Sequence, residues 1–219
     1  MNINQTLKNF GAPDVLLQRL TAYSIIDVIM NSGSDYDGSV YHCNTDWNAG
    51  VALFTIDDGG GDHFHILFSN AGCVIKGFGH ESDLSPYNYD EDEDYPEYRF
   101  YENMPHELYE LLDNEALERD LLTFCAWCGA GDNVWQAARL PVADDWSDGS
   151  ADFLDYLSDR DEYIAWLEDY YEADVNSVPV MDIMAGVNIT EELVAELNPK
   201  ADPETVMEAI YAIKRAAVV

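Results

Sequence analysis

The sequence predicts an α+β fold, in which an antiparallel meander of three to four strands in the N-terminal half is packed by helices from the C-terminal half. Two observations predict it. Short runs rich in β-branched and aromatic residues, mostly separated by turn sequences, occupy the region before residue 80. Beyond that region, the apolar residues recur at helical spacing. Strands followed by helices favour a sheet with helices on one of its faces.

The first predicted element is an amphipathic helix over residues 13–30. Its apolar residues recur at intervals of three and four, and Pro13 stands in the first turn, where its missing N–H costs nothing. Four short strands are predicted after it, and the sequences DDGGGD and SNAG between them supply turn residues that tolerate positive φ. These strands cover residues 39–43, 51–56, 64–68 and 73–78.

The C-terminal half is predicted to be helical. The signal is well defined at residues 203–216, where Asp202 can cap the helix, Pro203 opens it, and Lys214 and Arg215 lie near its end, where the helix dipole favours cations. We expect a single domain over residues 1–219, with a helix and sheet lobe over about 1–80 and an acidic helical lobe over about 81–219. The other predicted helices cover residues 105–112, 115–128, 133–139, 151–171 and 190–197.

The charge of the chain is strongly negative and is concentrated in its middle. The sequence holds 43 acidic and 10 basic residues, a formal net charge of −33. Residues 81–175 contain 28 of the acidic residues and four of the basic ones. Such a field repels nucleic acid and anionic membranes and attracts a cationic partner. Adaptation to high salt would spread acidic residues over every region, so the clustering favours a binding surface.

The acidic residues form two blocks. In the first, residues 87–98, Asp90 to Asp94 stand in an unbroken row flanked by tyrosines. Five consecutive carboxylates repel one another and resist burial, which predicts a solvated loop. The second block begins at residue 144 and continues into the predicted helix 151–171, whose border carries a tyrosine at every seventh residue.

Tyrosines beside carboxylates are suited to bind arginine and lysine, because the rings supply contact area and cation–π attraction while the acids supply charge-assisted hydrogen bonds. The alternative is that the tyrosines are packing residues beside the core and that the loop is a plain solvated tip. The binding interpretation predicts a partner-facing set of Tyr89, Asp90, Glu91, Asp92, Glu93, Asp94, Tyr95, Asp144, Asp145, Trp146, Asp148, Asp152, Tyr156, Asp159 and Tyr163.

Histidines offer the alternative of a metal-dependent hydrolase. His63 and His65 lie two residues apart in a predicted strand, so their side chains point the same way, and His80 with Glu81 could complete a site. A packed or surface-facing histidine pair is the simpler expectation. We therefore predict no catalytic residue, no metal and no cofactor.

Cys125 and Cys128 form a lone C-x-x-C motif at the end of a predicted helix. Redox-active pairs stand at the start of a helix, where the dipole lowers the thiol pKa, and a second pair that would bind zinc is missing from the sequence. We expect both thiols to pack near Trp127. Four cysteines are too few for a disulfide framework, and the first 20 residues lack a secretory signal pattern, so we expect a reduced, cytoplasmic protein.

Residues 61–87, GDHFHILFSNAGCVIKGFGHESDLSPY, resemble a segment of small uncharacterised bacterial proteins, some of which resemble the cytoplasmic immunity proteins of polymorphic-toxin systems. The resemblance implies a folded acidic inhibitor that binds a toxin domain, and it assigns no functional residue. We therefore expect a non-enzymatic cytoplasmic binding protein whose partner is a basic, nuclease-like protein. The metal-dependent hydrolase is the alternative, and a module of a larger bacterial assembly is a third possibility.

Overall fold

The computed structural model describes residues 1–34, 38–89, 98–157 and 160–218. Within these ranges it confirms the α+β class, with five strands where the sequence predicts three or four. The strands pair antiparallel in chain order, so every neighbour in the chain is also a neighbour in the sheet. They are β1 (Tyr41–Asn44), β2 (Val51–Asp57), β3 (His63–Ser69), β4 (Gly72–Phe78) and β5 (Phe124–Gly129).

Eight α-helices lie in the described ranges, and the two longest lie near the two ends of the chain. The predicted helix over residues 203–216 is confirmed residue for residue, and the predictions for residues 13–30 and 190–197 are each confirmed within one residue. The helices are α1 (Ile3–Thr6), α2 (Pro13–Asn31), α3 (His106–Tyr109), α4 (Ser150–Asp155), α5 (Arg160–Tyr170), α6 (Ser177–Met184), α7 (Glu191–Leu197) and α8 (Pro203–Ala216).

The sheet is buried on both faces. One face, which includes Phe54, Phe64 and Ile75, packs in a single hydrophobic cluster with residues of α2 and of helices α4 to α8. The other face, which includes Leu67 and Trp127, is covered by leucines and aromatic residues from chain segments between residues 84 and 142. Helices therefore cover one face, as predicted, and a largely irregular segment covers the other.

The predicted helix over residues 115–128 is wrong. Only Glu115–Leu117 forms a helical turn, a 3₁₀ turn that ends at Glu118 with a φ of 43°. The following residues form β5, which pairs along β4 from Gly72 to Gly77. The run Thr-Phe-Cys-Ala-Trp-Cys is rich in residues that favour strands, and pairing with an otherwise open sheet edge outweighs the helical spacing of the leucines before it.

Three further differences from the prediction concern helices. Residues 133–139 are not helical, and Gln136 forms an isolated bridge with Trp127 through two backbone hydrogen bonds of 2.8 and 2.9 Å. The predicted helix 151–171 is two helices, α4 and α5. The sequence prediction missed α6, whose first turn is capped by the side chain of Asn176 accepting from the Val178 N–H. Across the described part of the chain, no helix has the length and apolar character needed to cross a membrane.

Candidate functional site

The structure divides the predicted partner-facing residues into three groups. Asp144, Asp145 and Asp152 are exposed, and Tyr89, Trp146 and Tyr156 are partly buried. Asp148 and Tyr163 are buried. The remaining members lie outside the described residues, and they are Asp90, Glu91, Asp92, Glu93, Asp94, Tyr95 and Asp159.

The placement of Asp148 on a binding surface is wrong, because its carboxylate binds the chain itself. Its two oxygens accept from the backbone N–H groups of Ile3 and Ser150, at 2.5 and 3.0 Å. Burial raises its pKa, and these hydrogen bonds oppose the shift. Asp148 therefore joins the N-terminal helix to the start of α4 and is not available to a partner.

The placement of Tyr163 on a binding surface is also wrong. Its side chain has no exposed area, and its ring stacks on Tyr23 with the centroids 3.8 Å apart. The sequence placed it at the border of the core stripe with Tyr156 and Tyr170. In the structure the ring points into the core, so the packing alternative describes this residue correctly.

A concave site lies between the β2–β3 turn, the loops that follow β4 and precede α4, and helices α4 and α5. It has a volume of about 490 Å³, within the usual range for a ligand pocket. We call it the acidic cleft. It is lined by Tyr41, Asp62, Gly79, Glu81, Ser82, Ser147, Asp152, Asp155, Tyr156 and Trp166.

Three aromatic residues form one wall of the acidic cleft, and their positions are fixed. The Tyr41 hydroxyl donates to the Tyr156 carbonyl at 2.8 Å, and the Tyr156 hydroxyl donates to Asp58 at 2.7 Å. Trp166 meets Tyr41 edge to face and stacks on Tyr170 with the centroids 4.9 Å apart. A wall held in this way offers apolar contact area with little loss of side-chain entropy on binding.

Four carboxylates surround this wall. Burial raises the pKa of Asp152, and the neighbouring charges of Asp62 and Asp155 raise it further. No lysine or arginine is among the residues that line the cleft. In the described parts of the chain, the ion pairs made by these carboxylates are those of Asp62 and Glu81 with His80. The cleft thus holds crowded negative charge with little compensation.

His80 stands at the rim of the acidic cleft. Its Nδ1 lies 2.7 Å from Oδ1 of Asp62, and its backbone N–H donates to the same oxygen at 2.8 Å. Its Nε2 lies 3.8 Å from Oε1 of Glu81. The hydrogen bond to Asp62 is the main cause that raises the pKa of this imidazole, which favours the protonated ring.

The metal site that the sequence allows at the histidines is not assembled. His63 and His65 lie on one face of β3, with ring centroids 5.5 Å apart, but the His80 ring is bound to Asp62 instead of joining them. Burial lowers the pKa of His65 to about 3, and its Nδ1 lies 3.1 Å from the Thr55 hydroxyl. Over the described ranges, no three histidine, cysteine or acidic side chains are grouped to hold a metal ion.

The cysteines of the C-x-x-C motif do not form a functional pair in this geometry. They lie in β5, not at the end of a helix, and a spacing of three places them on opposite faces of the sheet. Cys128 packs in the cluster under the helices and Cys125 in the cluster on the other face. Both thiols are free and buried, which fits the predicted packing role.

Sequence reasoning found part of the acidic cleft and missed the rest. Asp152 and Tyr156 belong to the predicted set, and Asp155 could have been added because it lies three residues after Asp152 on the same helix. Nothing local points to Tyr41 or Asp62, since these residues approach α4 only through the tertiary fold.

The acidic cleft is suited to receive a cation that has an apolar stem. Its carboxylates are not grouped for a single metal ion, whereas a lysine or arginine side chain would place its stem on the rings and its charge among the acids. Comparison of the whole chain with protein-family models, curated proteins and solved structures finds no match. The resemblance of residues 61–87 to immunity proteins stays a prediction.

Proposed function

We propose that this chain is a non-enzymatic, cytoplasmic binding protein that inhibits a basic, nuclease-like protein by docking it on the acidic cleft. The observation that carries the proposal is the combination of four carboxylates and three fixed aromatic rings around one cavity that no lysine or arginine lines. A basic side chain of the partner is the complementary group. Asp144 and Asp145 are exposed in the loop that leads to Ser147 at the edge of the cleft, and they extend the acidic surface.

In the unbound protein, repulsion among the carboxylates of the acidic cleft is unfavourable. Asp62 and Asp155 each repel the partly desolvated carboxylate of Asp152, which raises the free energy of the free protein. A cation bound among them removes this repulsion and adds charge-assisted hydrogen bonds. The aromatic wall supplies contact area that excludes water from these bonds, as in the central residues of protein interfaces.

The net charge of −33 creates a negative electrostatic field around the protein. A field of this size steers a basic partner toward the surface and raises the association rate at low ionic strength. The field is screened over about 8 Å at physiological salt, so both rate and affinity are expected to fall as salt rises. A nuclease binds the phosphates of its substrate through basic residues. If the carboxylates of the acidic cleft bind those residues, the nucleic acid is excluded from the partner's site.

Neutralising the paired carboxylates of α4 tests the proposal. In the Asp152→Asn, Asp155→Asn double variant, we expect Kd for a capped tri-arginine peptide to rise at least tenfold, because about 1.4 kcal/mol or more of charged hydrogen bonding is lost. The measurement is isothermal titration calorimetry at constant ionic strength.

The matched control changes the same amount of charge elsewhere. Glu204→Gln with Glu208→Gln removes two exposed carboxylates of α8, which do not line the cleft. We expect this pair to weaken peptide binding no more than twofold. Equal losses in the two double variants would show that the peptide responds to net charge alone, and the proposed docking site would then be wrong.

A further inference from the structure

The ring of His80 forms ion pairs with two of the four carboxylates of the acidic cleft. Its Nδ1 contacts Asp62 at 2.7 Å and its Nε2 lies 3.8 Å from Glu81, and both of these acids line the cleft. In the described structure, Asp152 and Asp155 have no such ion pair. The imidazole is thus already paired with two of the carboxylates that a cation of the partner would bind.

The position of the ring is set by the backbone around it. The backbone N–H of His80 and its ring both contact Asp62, so the carboxylate is held from two directions. The ring also lies against Gly61, where an added Cβ would be 3.2 Å from Cγ and Nδ1 of His80. With a φ of 110°, Gly61 permits this close approach of the turn. The side chain is 43% exposed, so protons exchange freely with solvent.

Each element around His80 contributes acidic side chains near its ring. Asp58 and Asp62 come from the β2–β3 turn, Glu81 follows His80 in the chain, and Asp152 with Asp155 lies across the cleft on α4. The chain's amino terminus, which precedes α1, is a positive group, and its charge lowers the pKa of Asp152. Protonation of His80 therefore adds one positive charge beside a cavity that four carboxylates line.

We propose, on the basis of the proposed function, that His80 is the resident counterion of the acidic cleft and makes partner binding dependent on pH. The imidazolium occupies Asp62 and Glu81 in the free protein and competes with the incoming cation. When a partner's basic side chain binds, the imidazolium loses its proton to solvent, and the neutral ring leaves both carboxylates to the partner. Binding then tightens as pH rises from 6 to 8.

The direction of the pH effect on partner binding follows from the linkage between binding and the protonation of His80. Carboxylates raise the pKa of His80 in the free protein, and a bound cation in the same cavity lowers it. The free protein then carries more bound protons than the complex, so a rise in pH favours the complex. If the bound cation lowers the pKa by about one unit, the binding constant rises up to about tenfold over the titration.

Titration calorimetry with the capped tri-arginine peptide at pH 6, 7 and 8, in two buffers of different ionisation enthalpy, tests the inference. For the wild type we expect Kd to fall about three- to tenfold from pH 6 to 8, with net proton release near pH 7. In His80→Gln, which keeps a donor for Asp62 but cannot be charged, we expect the dependence on pH and the proton release to disappear. His106→Gln is the matched control, because His106 is exposed and lies 3.6 Å from Glu110, outside the cleft.

The outcomes separate this inference from the proposed function. An unchanged pH dependence in His80→Gln, with binding still sensitive to Asp152→Asn and Asp155→Asn, overturns the role of His80 and leaves the docking site intact. Loss of sensitivity to the α4 carboxylates overturns the docking site itself. An NMR titration gives an independent readout, since the pKa of the His80 ring must fall when the peptide is added, and an unmoved value contradicts the inference.

Discussion

Asp27→Ala is expected to destabilise the protein by about 3–5 kcal/mol, because two buried backbone donors and the partly buried Tyr171 hydroxyl lose their acceptor at once. Asp27 has no exposed area, and its Oδ2 accepts from the backbone N–H groups of Val40 and Tyr41 at 2.6 and 2.7 Å. Its Oδ1 accepts from the Tyr171 hydroxyl. Each buried donor left unpaired costs about 1–3 kcal/mol.

Urea denaturation measures this change, with Gln18→Ala as the control on an exposed position of the same helix. We expect the control to change the free energy of unfolding by less than about 0.5 kcal/mol. If the free energy of unfolding of Asp27→Ala falls by less than about 1 kcal/mol, water replaces the carboxylate. Such a result would contradict the role of Asp27 in joining α2 to the edge strand β1. The result also bears on the cleft, because the Tyr41 backbone that Asp27 holds carries one ring of the aromatic wall.

Lys76→Met is expected to stabilise the protein by about 1–3 kcal/mol at pH 7. Lys76 lies in the middle of β4 with no exposed area, between His65 on β3 and Cys125 on β5. No hydrogen-bond acceptor for its Nζ is found among the described residues. Burial lowers its pKa to about 8, so at neutral pH the native state carries a charge that the unfolded state holds at much lower cost.

The pH dependence identifies this mechanism. Because the pKa of Lys76 is lower in the native state than the ordinary 10.5, the wild type gains stability as pH rises from about 8 to 10.5. The advantage of Lys76→Met is therefore largest below pH 8 and shrinks toward pH 10.5. Urea denaturation at pH 7 and pH 10 measures it, with Lys200→Met as an exposed control. A loss of stability at pH 7 in Lys76→Met would show that the ammonium has a favourable partner.

The sequence predicted the elements whose signals are local. Helix α8 has its proline, first-turn acid and terminal cations within one segment, and the strands β2 to β4 alternate with turn sequences that specify hairpins. Strand β5 was missed for a physical reason. The spacing of leucines before it favours a helix, and only the open edge of β4, about 50 residues earlier in the chain, decides in favour of a strand.

The candidate site was only partly predictable, because its residues come together from distant segments. The regional charge pointed to residues 87–98 and 144–170, and Asp152 and Tyr156 of the second block do line the cleft. The helical periodicity placed Tyr163 beside them at the surface. In the structure the ring of Tyr163 stacks on Tyr23 of α2 and is buried, and this tertiary contact is not visible in the sequence. The His80 contact with Asp62 spans the β3–β4 hairpin, and no spacing rule in the sequence indicates it.

NMR mapping of the capped tri-arginine peptide on isotope-labelled protein tests most directly whether the acidic cleft is the docking site. We expect the largest shift changes at the amides of Ser82, Ser147 and residues 152–156 and at the indole N–H of Trp166, saturating together with one affinity. Changes spread evenly over the exposed carboxylates of α7 and α8, with the cleft no more affected than they are, would contradict it.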